Sequence, residues 1–329
     1  MARATTDRRR GSIQHDFPIY PVFQQFKDVR GCFTGKGTDP KNEYFSFARP
    51  AAHQDPVLKP NHFRTNLQRL ARTVGFEPGA LVLPNGAWPH SGQAIKDEDY
   101  AWVENPVSGT LMPVTGKNQP VTYDAVASRS PRHVLAVQGA DCPAIFLYDP
   151  GSRVLGLAHA GWKPLVRNVV GNVLDAMVEL GAQRGNIHAY ISPGVGDRYT
   201  AFQWDDGMEE TVRSVFVQAG RSDLLKDSTI RHSITAEDRT RLQSALGREV
   251  CEVSTLKLSY LATTELVRCG LAECNISCNN DSTLLDRYPY SSSLDREAST
   301  PLAYHSFRRE KPNHGLSISL LFLTDSDGS

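Results

Sequence analysis

Two short apolar runs joined by a tight turn constrain this chain more than any other feature. Ala144 to Tyr148 (AIFLY) and Val154 to Ala158 (VLGLA) both read as strands, and Asp149-Pro150-Gly151-Ser152 between them is a turn signal. They predict a hairpin, so the sheet that holds them cannot be purely parallel. His133 to Gly139 (HVLAVQG) reads as a further strand just upstream. Downstream, Pro164 suits the first turn of a helix. Leu165, Val166, Val169, Val170, Val173, Leu174, Met177 and Leu180 then recur at helical spacing, and Gly181 stands where a C-terminal cap belongs.

Around this centre the pattern alternates. A helix is expected from about Asn61 to Val74, stopped by Gly75, and short strands at Leu81-Val82-Leu83 and Ile187 to Ile191. Two more helices fall near Gly207 to Ala219 and Leu256 to Arg268, with strands near Cys274 to Cys278 and Ser317 to Leu323. Residues 1–29 are expected to be a polar, disordered tail, since the first fifteen lack the apolar core of a secretory signal. An α+β or mixed α/β domain follows, interrupted by a polar surface insertion at about 97–120 rich in Gly, Pro and Asn.

Composition narrows the function class. The 36 Lys and Arg balance 36 Asp and Glu, which argues against a dedicated nucleic-acid binder. No apolar run approaches the roughly 18 residues of a membrane span. Six cysteines scattered over 329 residues do not make a disulfide scaffold. A soluble cytoplasmic enzyme acting on a small molecule is the expectation, with neither nucleic acid nor membrane as a partner.

Chemistry concentrates at one rim of the hairpin. Cys142 begins its first strand and His159 ends its second, so the two are expected to be neighbours, with Asp141 beside them. The helix that follows could turn its N-terminal N–H groups toward the same rim. Three readings stay open on the residues alone: a Cys/His nucleophilic pair, a thiolate–imidazole metal site, or a buried thiol beside a hydrogen-bonded imidazole. Cys274 and Cys278, four apart on an expected strand, read as core thiols on one face.

The run from Gly139 to Gly196 (GADCPAIFLYDPGSRVLGLAHAGW…ISPGVG) resembles the signature core of the laccase-domain family. Members were formerly called multicopper polyphenol oxidases and are described as zinc-dependent purine nucleoside enzymes. Phe33-Thr34, Asn66, His90, Asp124, the CNNDST run from Cys278 and Ser306-Phe307-Arg308-Arg309 fall in the family's order as well, so the resemblance covers roughly residues 30–324 and implies a single domain there. The resemblance implies a layered α/β/β/α fold similar to the catalytic domain of deamidating necrotizing toxins. It implies a zinc ion held by His90, Cys142 and His159, with catalytic roles for Cys142, His159 and Asp141. Asn66, Lys163 and Arg308 are the implied substrate or phosphate contacts, and the implied partners are a purine nucleoside and phosphate.

The reaction so implied is phosphorolysis of adenosine or inosine to the base and ribose 1-phosphate, with adenosine deamination beside it. Several positions depart from the family pattern. Trp88 replaces a glutamine, Lys163-Pro164 an Arg-Gly, Thr200 an acidic residue, and Leu316 an arginine. Lysine keeps the charge but loses the planar fork that suits phosphate. These changes leave two alternatives standing: a Cys/His hydrolase acting on an amide or cell-wall precursor, and a diverged paralogue, either non-catalytic or specialised for nucleoside biosynthesis.

Overall fold

The computed structural model describes residues 17–37, 45–48, 61–84, 88–195, 202–204, 206–283, 303–310 and 315–324. Two mixed sheets form its centre. The seven-stranded sheet runs β1 (Ile19–Val22), β2 (Val29–Thr34), β16 (Ser317–Leu323), β8 (Val134–Gly139), β3 (Leu81–Val82), β6 (Leu111–Val114) and β5 (Ala101–Glu104) in spatial order. The six-stranded sheet runs β15 (Ile276–Cys278), β11 (His188–Ile191), β9 (Ala144–Asp149), β10 (Val154–His159), β7 (Ala125–Ser128) and β4 (Ala94–Lys96). A small third sheet orders β12 (Phe202–Trp204), β14 (Ser254–Leu256) and β13 (Arg231–Ser233).

The unbroken apolar runs of the central strands follow from burial on both faces. On β9, Ile145 and Leu147 face the helices, while Ala144, Phe146 and Tyr148 face the other sheet. On β8, Leu135 and Val137 face between the sheets, while Val134 and Ala136 face outward. Helix α1 (Asn61–Val74) covers that outer face, packing Phe63, Leu67 and Leu70 on Ile318, Leu320 and Phe322 of β16. Helices α3 (Val169–Glu179) and α6 (Leu258–Arg268) cover the six-stranded sheet, and α4 (Asp206–Gln218) and α5 (Ala236–Leu246) add Val212, Phe216 and Leu242 to the same core. The layers are therefore α/β/β/α, as expected. No described helix is long and apolar enough to cross a membrane.

The β9–β10 hairpin forms where the sequence places it, in register from Asp149↔Val154 to Ala144↔His159. Asp149 fixes the turn: its buried carboxylate accepts from Gly151 N–H at 2.8 Å and Ser152 Oγ at 2.9 Å. It also accepts from Gln183 N–H at 2.8 Å, which ties the far end of α3 to the hairpin.

Four expectations are corrected. The helix expected after Pro164 is two helices, α2 (Trp162–Val166) and α3, because Asn168 adopts a left-handed conformation at φ 67°. There its side chain accepts from Arg268 at 2.7 Å and donates to Asn172 at 3.2 Å. At five residues, α2 is too short to present the anion-binding N-terminus expected of it. The insertion at 97–120 lies at the sheet edge but holds a hairpin, β5 with β6, whose signal Pro113 and the polar flanks conceal. Part of the stretch read as a tail is ordered: β1 pairs antiparallel to β2, and Phe17, Val22 and Phe23 are buried. Residues 1–16 lie outside the described residues. Lastly, Cys274 is exposed in a 3-10 turn while Cys278 is buried on β15, so the two do not share a strand face.

Candidate metal centre

The hairpin register puts His159 opposite Ala144, so the entry to β9 and the exit of β10 share one rim. His159 is buried there at 3% exposure, and the Cys142 thiol is a hydrogen-bonding partner of its ring. Gly161 makes room for both. A Cβ at that position would stand 3.3 Å from Cys142 Sγ and 3.5 Å from His159 Nε2, filling the space beside the two donors.

The other edge of the imidazole faces Asp124, the fully buried residue just before β7. Its Oδ1 lies 3.6 Å from His159 Nδ1, which is buried without a hydrogen-bond partner. The Asp124 main chain is stitched in as well, with its carbonyl accepting from His159 N–H at 2.8 Å. Burial works against a charged imidazole, but Asp124 and the Cys142 thiol outweigh it and push the His159 pKa up to about 9. Burial likewise works against the Asp124 carboxylate, yet the facing His159 imidazole and hydrogen bonds from Gly92 and His90 N–H hold its pKa below the usual range.

His90 arrives on a loop that Asp124 organises. The carboxylate accepts from His90 N–H at 3.1 Å and Gly92 N–H at 2.8 Å, and from the Ser91 hydroxyl at 3.4 Å. Within this loop His90 itself sits at φ 55°, a left-handed conformation held by those contacts. Gly92, at φ 78°, lies so close to Arg167 that a Cβ would come within 2.4 Å of its carbonyl oxygen. From the α2–α3 break, Arg167 Nη1 donates to His90 O at 2.7 Å. The His90 ring is exposed, 5.5 Å from that of His159. Its pKa is lowered by partial burial, His159, Lys163 and Arg167, against the opposing pull of Asp124.

Donor atoms of His90, Asp124 and His159 thus lie within 4.8 Å of one another, an arrangement able to hold a metal ion. The buried, unpartnered Nδ1 and the nitrogen–oxygen donor set fit a metal cation, while the Cys142 thiol expected from the sequence stands beside Gly161, outside that set of three. Asp124 was legible only as a member of a motif; its central place in the loop was not. It precedes AVAS, four small residues that carry little strand signal, so its position beside β10 does not show in the sequence.

Asp141 points elsewhere. Its carboxylate, 9% exposed, accepts from Thr283 Oγ1 and Ser306 Oγ, each at 2.8 Å, and from Arg308 N–H at 2.9 Å. Burial raises its pKa against those donors. Those bonds dock residues 303–310, including α7 (Phe307–Glu310), onto the rim and bring Arg308 within electrostatic range of Cys142 and Glu252. Arg309 donates to Thr283 O at 2.7 Å and Tyr304 O at 2.6 Å. Lys163 Nζ stands 5.5 Å over the Trp162 ring, on the His90 side. Asn66 sits apart, buried in α1 with Nδ2 donating to Ser46 O at 2.8 Å. Leu316 meets the same residue, its N–H donating to Ser46 Oγ at 3.1 Å. Thr200 lies outside the described residues.

Comparison with known proteins places this geometry in context. The family model described as multi-copper polyphenol oxidoreductase laccase matches residues 33–324. A purine nucleoside phosphorylase of Deinococcus radiodurans is 42% identical over 77 residues, 23% of this chain and 30% of that protein. The purine nucleoside phosphorylase ORF3 of Streptomyces griseus is 34% identical over 133 residues, 40% of this chain and 48% of that one. The aligned part thus spans less than half the length of these relatives. A Bacillus licheniformis structure described as the hypothetical protein YfiH superposes with a TM-score of 0.66 at 19% identity, covering 95% of this chain and 99% of that one.

Proposed function

The chain belongs to the multi-copper polyphenol oxidoreductase laccase family, and from that membership we propose that it is a zinc-dependent purine nucleoside phosphorylase. The observation that carries the reading is the cluster at the β10 rim, where donor atoms of His90, Asp124 and His159 converge, with the Cys142 thiol next to His159 Nε2 beside Gly161. His90, Cys142 and His159 would hold the ion, with Asp124 holding the His159 ring from behind. When bound, zinc supplies Lewis acidity to an oxygen of the substrate. The names of the curated relatives support the substrate class.

In phosphorolysis a phosphate oxygen attacks the ribose anomeric carbon, the glycosidic bond breaks, and its electron pair leaves with the base. Arg308 and Lys163 supply cations within electrostatic range of Cys142 and His90, so phosphate is drawn by local charge in a chain of zero net charge. The cavity behind Cys142, between the two sheets, measures about 30 Å³. That space suits water and is too small for a nucleoside. We place the nucleoside on the side of the exposed His90 ring. Adenosine and inosine are the proposed substrates, with adenosine deamination as an additional activity.

One observation favours a second reading. Cys142, His159 and Asp124 stand in nucleophile, base and orienter order, as in a Cys/His hydrolase. Metal analysis separates the two. The purified protein is assayed for zinc and copper, then incubated with adenosine, inosine and guanosine with and without phosphate. Stoichiometric zinc, with free base and ribose 1-phosphate formed only when phosphate is present, supports phosphorolysis. Metal-free protein, or turnover that survives His159→Ala, overturns it.

A further inference from the structure

Holding His159 takes more than its carboxylate neighbour. The 3.6 Å gap between Nδ1 and Asp124 Oδ1 exceeds an ordinary hydrogen bond. Asp124 can select which edge of the ring faces it, but a contact so long does not fix the plane of that ring. The plane is set by Trp88. Its indole stacks on the imidazole at 5.0 Å between centroids and 26° between planes. The indole is itself anchored: Nε1 donates to Gln138 O on β8 at 3.2 Å, and the buried Tyr123 ring meets it edge-on at 6.3 Å. His159 belongs to the six-stranded sheet and Gln138 to the seven-stranded one, so Trp88 ties the imidazole to both. A glutamine, the residue the resemblance leads one to expect here, offers no ring face for such a stack.

We propose that Trp88 is a positioning residue for the metal centre: its indole fixes the plane of the His159 imidazole, while Asp124 chooses the edge, so that Nε2 is presented on the Cys142 side. The inference rests on the metal reading above and adds a residue that touches no ligand atom. It also shields one face of His159 from water, which strengthens polar interactions at that ring.

The test uses the full chain and zinc itself, titrated against a competing chelator, with cobalt substituted for a visible absorption spectrum. Trp88→Ala is expected to weaken zinc binding about 10- to 100-fold, the size of effect seen when a supporting partner of a metal ligand is lost. The cobalt spectrum should change with it, because that band reports ligand geometry. Trp88→Phe keeps an aromatic face and should restore both readouts, which a loss of general stability would not do. Should Trp88→Ala fail to fold, the same comparison is made with Trp88→Gln against Trp88→Phe. Parental affinity and spectrum in Trp88→Ala, alongside lost binding in His159→Ala, overturn the inference alone. Unchanged zinc binding in His159→Ala overturns the metal reading and the inference together.

Discussion

The two halves of the rim are built in opposite ways. Cys142 and His159 flank a hairpin whose register is fixed by its own turn and by buried side chains on both faces. His90 sits on a loop with left-handed residues at His90 and Gly92, held by one buried carboxylate and one arginine from a distant helix break. The strand half is rigid because its core makes it so. The loop half is rigid through side chains that reach it from elsewhere: Asp124, Arg167 and Asn172, whose Nδ2 donates to Gly92 O at 2.8 Å. A donor in the first half should therefore be irreplaceable, and one in the second adjustable.

The largest effect should fall on the strand half. His159→Ala and Cys142→Ala are each expected to lower bound zinc from stoichiometric to trace and to abolish phosphorolysis, with the fold kept by circular dichroism. His90→Ala should leave measurable but weaker binding, since the exposed loop donor is the one that solvent can replace. Elemental analysis after dialysis against a mild chelator ranks the three. Equal loss in all three breaks the contrast between the halves.

Asp124 comes next because it joins them. Asp124→Ala leaves the N–H groups of His90 and Gly92 without an acceptor and removes the charge facing Nδ1. Loss of such a buried carboxylate costs roughly 3–5 kcal/mol. Chemical denaturation reads that cost, and zinc affinity should fall about 10- to 100-fold beside it. A variant with parental stability and affinity would show that the carboxylate organises neither half.

The same division governs what the sequence reveals. The hairpin, its turn and the juxtaposition of Cys142 with His159 are legible because neighbouring residues encode them: apolar period, turn chemistry, strand length; the layered arrangement comes only with the family resemblance. The break at Asn168 is not legible, since the apolar spacing runs straight through it and the left-handed residue is stabilised by Arg268, a hundred positions away. Asp124 and Asp141 are hidden for a related reason. Each is a carboxylate whose meaning comes from the donors folded around it, and Thr283 and Ser306 reach Asp141 from the far end of the chain. Trp88 shows in sequence only as a departure from a pattern; its partner in the stack appears when the two sheets close.

A smaller effect isolates the loop's backbone. Gly92→Ala would force a Cβ toward the Arg167 carbonyl at a φ that side chains rarely adopt. The strain costs about 1–3 kcal/mol, and the loop is expected to relieve it by shifting. Zinc binding should weaken through His90 while the cobalt–thiolate band, which reports Cys142, keeps its position. A shift of that band would mean that the two halves move as one body.

The smallest effect should come from Arg167→Met, which keeps the aliphatic stem and deletes the single exposed hydrogen bond to His90 O. A bond of this kind contributes about 0.5–1.5 kcal/mol, so global unfolding should barely register it. Local opening should register it clearly. Hydrogen exchange at 88–92 is expected to speed up by about tenfold, the factor that 1.4 kcal/mol allows, while β10 amides exchange at their parental rate. Zinc should close most of that gap if His90 is a ligand, because binding then holds the loop in place of the arginine. Faster exchange on β10 as well, or a loop that zinc leaves unprotected, would show that Arg167 supports the hairpin and that His90 is not tethered by the ion.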